Sequence, residues 1–122
     1  MTYGLLDRAD RTDRAVTEAP GEEMSFAGLR MDEKTFQVWR NDIPVYLSLT
    51  EFRLLSYLMR YPGAILSKVR ISEDVWPGRG GSLNLVEAYV SHLRKKIDSL
   101  GPPLIHTVRG VGYGLRAPFA LP

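Results

Sequence analysis

Cysteine is absent from the 122 residues, which excludes a disulfide scaffold and thiolate sites for zinc or iron–sulfur clusters. Histidine is scarce: His92 and His106 are the only imidazoles, too few for a three-histidine metal site, so neither metal nor other cofactor is expected. Long apolar runs are missing, and no stretch approaches the ~20 residues of a membrane span. The opening MTYGLLDRADRTDRA lacks the apolar core of a signal peptide, and a cytoplasmic location is the expectation. Gly78-Arg-Gly-Gly-Ser82 lacks the Gly-Lys-Ser/Thr ending of a phosphate-binding loop. Gly110-Val-Gly112-Tyr-Gly114 falls in an expected hairpin rather than a strand-to-helix turn, which excludes a dinucleotide fingerprint. Glu87, His92 and Asp98 share one expected helix with no nucleophile or oxyanion-stabilising loop beside them. The chain reads as a non-enzyme.

What is present is an ordinary globular composition, 44% hydrophobic and 25% charged, with room for one domain and a modest core. The net charge of +2 is small, but its distribution is uneven. Residues 1–23 hold three Arg against six Asp/Glu, whereas residues 79–116 hold six Arg/Lys against Glu87 and Asp98. A polyanionic partner for the C-terminal half would explain this; so would a solvated basic face.

Residues 1–23, with alternating charges and a Pro20-Gly21 break, read as a flexible leader or the remnant of an interdomain linker, with a short helix over Asp7–Val16 as an option. Residues 24–118 read as the folded domain and 119–122 as a tail. Met24–Arg30, Thr35–Arg40 and Ile43–Leu47 are short stretches suited to a small antiparallel sheet. Phe36, Val38 and, less strictly, Arg40 alternate there against Gln37 and Trp39. Asn41-Asp42 is turn chemistry, because both residues tolerate the left-handed conformation. Pro44 belongs near an edge or a strand start. Ser48-Leu49-Thr50-Glu51 is a capping box opening a helix with Phe52, Leu55 and Met59 on its apolar stripe. Pro62-Gly63 stops that helix, Ala64-Ile65-Leu66 is an extended link, and Ser67 caps a second helix over Lys68–Trp76 with Ile71 and Val75 inward. A third helix spans Leu83–Leu100, and two strands, Leu104–Val108 and Gly112–Arg116, close the domain around Gly110.

At about 100° per residue, Val86, Val90, Leu93, Ile97 and Leu100 of the third helix fall on one dry side, with Tyr89 at its shoulder. The opposite side carries Asn84, Ala88, Ser91, His92, Lys95 and Ser99, flanked by Arg94 and Lys96. That face suits a major groove: it offers hydrogen-bonding groups, and Ala88 permits close approach to a thymine methyl. Arg94 and Lys96 stand where they would reach phosphates on either groove wall. Any amphipathic helix also has a polar outer face, so the helix alone leaves both readings open. Glu87 would repel phosphate unless paired, with Arg94 or a sheet residue as the expected partner.

Taken together, Leu47-Ser-Leu-Thr-Glu-Phe-Arg-Leu-Leu55, Pro62-Gly63, Leu66-Ser67, Val75-Trp76, Val86-Glu-Ala-Tyr-Val-Ser-His-Leu-Arg-Lys-Lys-Ile97 and His106-Thr-Val-Arg-Gly-Val-Gly-Tyr113 resemble the effector domain of OmpR/PhoB-type response regulators over about Met24–Pro118. The resemblance implies an α+β winged helix-turn-helix: a four-stranded antiparallel sheet, three helices with the third as recognition helix, and a C-terminal β-hairpin wing. It implies sequence-specific binding of duplex promoter DNA, usually to direct repeats as a head-to-tail dimer, with the isolated domain monomeric. By position, Arg109 is the wing arginine that enters the minor groove, where A·T tracts narrow it and deepen its negative potential. Thr107 and Trp76 match phosphate contacts, Tyr89, Arg94 and Lys95 match backbone contacts, and Ala88, Ser91 and His92 match variable base-reading positions. Relatives often place arginine where Ser91 and His92 stand, so guanine readout is expected to be weaker here. The loop of Pro77, Gly78, Arg79, Gly80, Gly81 and Ser82 matches the segment that contacts RNA polymerase in some activators; a plain connector is the other reading. The receiver domain typical of the family has no counterpart in the sequence, which reads either as an effector fragment or as a stand-alone regulator. A winged-helix protein-interaction module without DNA binding is the alternative function, and the joint presence of Arg94, Lys95, Lys96 and Arg109 weighs against it.

Overall fold

The structure, a computed structural model, describes residues 23–78 and 82–118. The expected leader short of Glu23, the optional helix over Asp7–Val16 and the tail at 119–122 lie outside the described residues.

Four strands, Glu23–Phe26 (β1), Leu29–Asp32 (β2), Gln37–Arg40 (β3) and Ile43–Val45 (β4), pair antiparallel in chain order. Asn41 and Asp42 turn the chain between β3 and β4 at φ of 50° and 67°, the two-residue turn whose twist matches its strands. Met24–Arg30, expected as one stretch, is instead two strands. Ala27 and Gly28 adopt φ of 49° and 86°, and Phe26 registers with Leu29. Gly28 was the sign of this turn, and the alanine before it concealed the sign. Phe36 also departs from the expected alternation. The Asp32 carboxylate accepts from the Lys34 N–H at 2.9 Å, and the chain does not become strand until Gln37. Phe36 stands before β3 at φ 58°, 62% exposed, its ring 5.1 Å from that of Phe52. Val38 and Arg40 do face inward, with Leu29, Met31 and Val45. Pro44 sits on the edge strand β4, as proline's missing donor requires.

Helix α1 (Leu49–Arg60) begins with the expected capping box: Ser48 Oγ accepts from the Glu51 N–H at 3.2 Å, and Glu51 Oε1 accepts from the Ser48 N–H at 2.9 Å. Its stripe of Phe52, Leu54, Leu55, Leu58 and Met59 is buried. After Leu66–Ser67 (β5), Ser67 Oγ caps α2 (Lys68–Val75) by accepting from the Arg70 N–H at 3.1 Å. Helix α3 (Leu83–Ile97) passes into a 3-10 turn at Asp98–Leu100, so the expected helix to Leu100 ends its α geometry three residues early. Arg40, only 1% exposed, lies beneath that end and donates to the carbonyls of Ile97 (2.8 Å) and Pro102.

The hairpin of β6 (Ile105–Val108) and β7 (Gly112–Leu115) gains a third strand, giving the order β5-β7-β6. The extended link at Ala64–Leu66 thus runs into a strand two residues long, Leu66–Ser67. Gly112 and Gly114 allow it: a Cβ at Gly112 would lie 1.8 Å from the Leu66 carbonyl oxygen, and one at Gly114 would lie 2.0 Å from that of Ala64. Only glycine lets the two backbones meet. One core joins the first sheet, the helices and the hairpin through Leu29, Met31, Leu55, Leu58, Ile71, Leu93, Leu104 and Leu115, all fully buried. Among the described residues no helix is long and apolar enough to cross a membrane.

Candidate nucleic-acid interface

Helix α3 separates its faces sharply. Val86, Val90, Leu93 and Ile97 are at most 1% exposed, and their burial fixes the rotation of the helix. Asn84, Ala88, Ser91, His92 and Lys95 are all exposed on the other side. Arg94, Lys95 and Lys96 occupy its last turn, where cations also complement the negative end of the helix dipole.

The flanking charges are tied into the fold. Lys96 Nζ lies 2.7 Å from Glu51 Oε1, pinning α3 to the capping box of α1. Burial pushes the Glu51 carboxyl up, but the hydrogen bonds from Lys96 and the Ser48 backbone outweigh it and hold the group below its usual range. Arg94 Nε donates to the Ile105 carbonyl at 3.1 Å, its Nη2 donates to Thr107 Oγ1, and its guanidinium carbon lies 5.6 Å from the Tyr113 ring centroid. Both residues were expected at phosphates; Lys96 points its charge at α1 and Arg94 two of its donors at β6. Glu87 is paired as anticipated, but with Lys68 of α2 at 2.7 Å rather than with Arg94 or a sheet residue. That hydrogen bond raises the Lys68 pKa. Lys68 is the residue that sequence reasoning missed here. Its signal was the need of Glu87 for a cation, and the partner lies 19 positions away.

Two expected phosphate contacts meet across the helices: the Trp76 and Tyr89 ring centroids are 5.5 Å apart, and Tyr89 stacks edge-on to His92 at 5.3 Å. Trp76 is also the C-cap of α2. The wing turns at Val108–Val111, where the Val111 N–H donates to the Val108 carbonyl at 2.9 Å and Gly110 takes φ 76°. A turn with positive φ at its third position favours glycine. Arg109 stands exposed at the tip, and Thr107 is exposed on β6. Pro77 and Gly78, also exposed, begin the α2–α3 loop; Arg79, Gly80 and Gly81 lie outside the described residues. Among the described residues no group of three His, Cys, Asp or Glu side chains could hold a metal. The arrangement presents a polar helix face and an arginine-tipped hairpin, joined by the Arg94 bridge.

Residues 42–115 match the family model described as transcriptional regulatory protein, C terminal. The transcriptional regulatory protein TrcR of Mycobacterium tuberculosis is 44% identical over 116 residues, a match covering 94% of this chain and 44% of TrcR. Among solved structures, the DNA-binding domain of Klebsiella pneumoniae RstA in complex with the RstA box is similar at a TM-score of 0.68 and 30% identity, over 80% of this chain and 99% of that one. The DNA-binding domain of response regulator AdeR in complex with an intercistronic region gives a TM-score of 0.70 and 27% identity, over 78% and 99%. The chain thus spans less than half the length of TrcR and nearly all of the two DNA-binding domains.

Proposed function

Because the chain belongs to the OmpR/PhoB-type family of transcriptional regulatory C-terminal domains, we propose that it binds duplex promoter DNA sequence-specifically, as the output domain of a two-component response regulator. Helix α3 enters the major groove, with Asn84, Ala88, Ser91, His92 and Lys95 facing base edges. Arg109 enters the neighbouring minor groove and favours A·T-rich flanks. Trp76, Tyr89, Lys95 and Thr107 fix the register on phosphates, joined by whatever donors Arg94 and Lys96 leave free. Two copies occupy direct repeats as a dimer on DNA, the isolated domain is monomeric, and the site of action is the cytoplasm. The loop from Pro77 through Arg79 to Gly81 is the surface proposed for RNA polymerase.

The observation that carries this reading is the exposed polar face of α3 set beside an exposed Arg109 at a glycine-shaped wing tip. A protein-docking helix would be expected to expose large apolar anchors there, whereas that face carries Asn, Ala, Ser, His and Lys. Selection of bound duplexes from a random pool tests it. The expected product is a repeated core with A·T-rich flanks, and Arg109→Ala keeps the core while losing several-fold of the flank preference. A pool that never enriches would overturn DNA binding in favour of a protein-interaction module.

A further inference from the structure

Helix α3 and the wing are separate elements, and a bipartite reader needs a fixed distance between its two parts. Residues 98–104 join them through a 3-10 turn and Pro102-Pro103, where Arg40 and the Asp98–Leu104 bond hold the entry to the wing. The strand nearest the exit, β6, is the outer strand of its sheet, and an outer strand leaves carbonyls unpaired by its neighbour. Arg94 addresses that strand with a forked pair of donors, Nε to the Ile105 carbonyl and Nη2 to Thr107 Oγ1. Tyr113, over whose ring the guanidinium lies, is the β7 residue registered opposite Thr107. One planar group on α3 therefore touches both strands of the wing.

We infer that Arg94 is a positioning residue that locks the wing to the recognition helix, so that major-groove and minor-groove contacts are set as one unit. The consequence for binding rests on the DNA-binding reading above; the lock itself does not. The competing role is a simple phosphate ligand. The two differ in what lysine can replace. Lysine is a point charge that serves a phosphate, but it lacks the rigid fork needed to hold two acceptors while lying over a ring.

The test compares Arg94→Lys, Arg94→Gln and Thr107→Val with the parent chain. The readouts are affinity for selected duplexes with A·T-rich or G·C-rich flanks, salt slopes, and hydrogen exchange of the free protein. With the lock, Arg94→Lys fails to rescue: both Arg94 variants reduce the A·T-flank advantage to less than about twofold, and adding Arg109→Ala costs nothing more. Free of DNA, the β6 amides of both variants exchange at least about tenfold faster while α1 amides do not change. Thr107→Val, which removes one arm of the fork, falls between. The lock is overturned if Arg94→Lys matches the parent and Arg94→Gln weakens both duplexes equally with a salt slope smaller by about 1. Unchanged β6 exchange in Arg94→Gln also overturns it. If the parent enriches no duplex, the DNA reading has failed, and the exchange rates still decide the lock.

Discussion

Arg40 sits where an aliphatic residue would be expected, on the inner face of β3 and 1% exposed. Its guanidinium supplies donors to the Ile97 carbonyl at the end of α3 and to the Pro102 carbonyl beyond the 3-10 turn, and stands 3.9 Å from Asp98. Asp98 in turn accepts from the Leu104 N–H at 2.9 Å, at the entry to the wing. Hydrogen bonds to a charged donor contribute about 1.5–3 kcal/mol each, and acceptors left buried without one are costly. Arg40→Met, similar in length and unable to donate, should therefore destabilise the domain by about 3 kcal/mol. Urea denaturation measures this; a loss under about 1 kcal/mol would rank Arg40 with ordinary surface charges. The alternation with Val38 made the inward position of Arg40 legible in the sequence. Its partners were not, because they lie 57 and 62 positions away, at the end of α3 and in the segment after it. The same holds for Glu87: its need for a cation could be read, and the identity of Lys68 could not.

Elements with local signals were legible. The capping box of α1 spans four consecutive residues, and the Asn41-Asp42 turn spans two. Elements defined by distant partners were not. Strand β5 is two residues long and exists through pairing with β7, Leu66 against Tyr113; a two-residue segment has no periodicity to read. Glu51 belongs to both classes, since its cap bond is local and its bond to Lys96 crosses 45 positions. The second bond has a measurable consequence. The Glu51 carboxyl is held below its usual range in the folded chain, so near pH 4 the unfolded chain binds more protons than the folded one. The stability this provides is fully present above about pH 5 and is lost as pH falls through the folded pKa. Removing Lys96 leaves burial, which raises the pKa, opposed only by the Ser48 bonds. The fall in urea midpoint between about pH 6 and pH 3.5 should accordingly be shallower in Lys96→Met than in the parent chain. Glu33, whose carboxyl is lowered mainly by its hydrogen bond from Ser56, is unchanged by this substitution and cancels in the comparison. Superimposable pH profiles would show that the Lys96–Glu51 bond does not act as an ion pair in solution.

At the scale of the whole molecule, the order of sheet, helices and hairpin could be read because the longer elements carry their own periodicity or cap, even though β5 does not and β1 and β2 read as one stretch. The base code proposed for α3 could not, since side chains as short or as singly bonding as Ser91 and His92 would find partners that depend on how the helix met the groove. The net +2 of the chain is too small to drive non-specific adhesion, but residues 79–116 concentrate six cations against two acids. Within that segment Glu87 is paired with Lys68 and Lys96 with Glu51, both partners from outside it, so the excess of four stands, and Lys95 and Arg109 remain exposed. The local field is therefore more positive than the overall count suggests. If Lys95, Arg109 and one or two further donors neutralise three or four phosphates per domain, log Kobs should fall with log salt at a slope of about −3. Raising salt from about 50 to 200 mM would then weaken binding by a factor on the order of 60. Lys95→Gln should reduce the slope by about 1 through its proposed phosphate contact, while its proposed base contact should show separately as a loss of affinity that depends on sequence. Titrations of a selected duplex at four or five salt concentrations would measure both. A slope near zero would leave the basic face of α3 without a polyanion to meet, and would shift the reading of this domain to a surface for another protein.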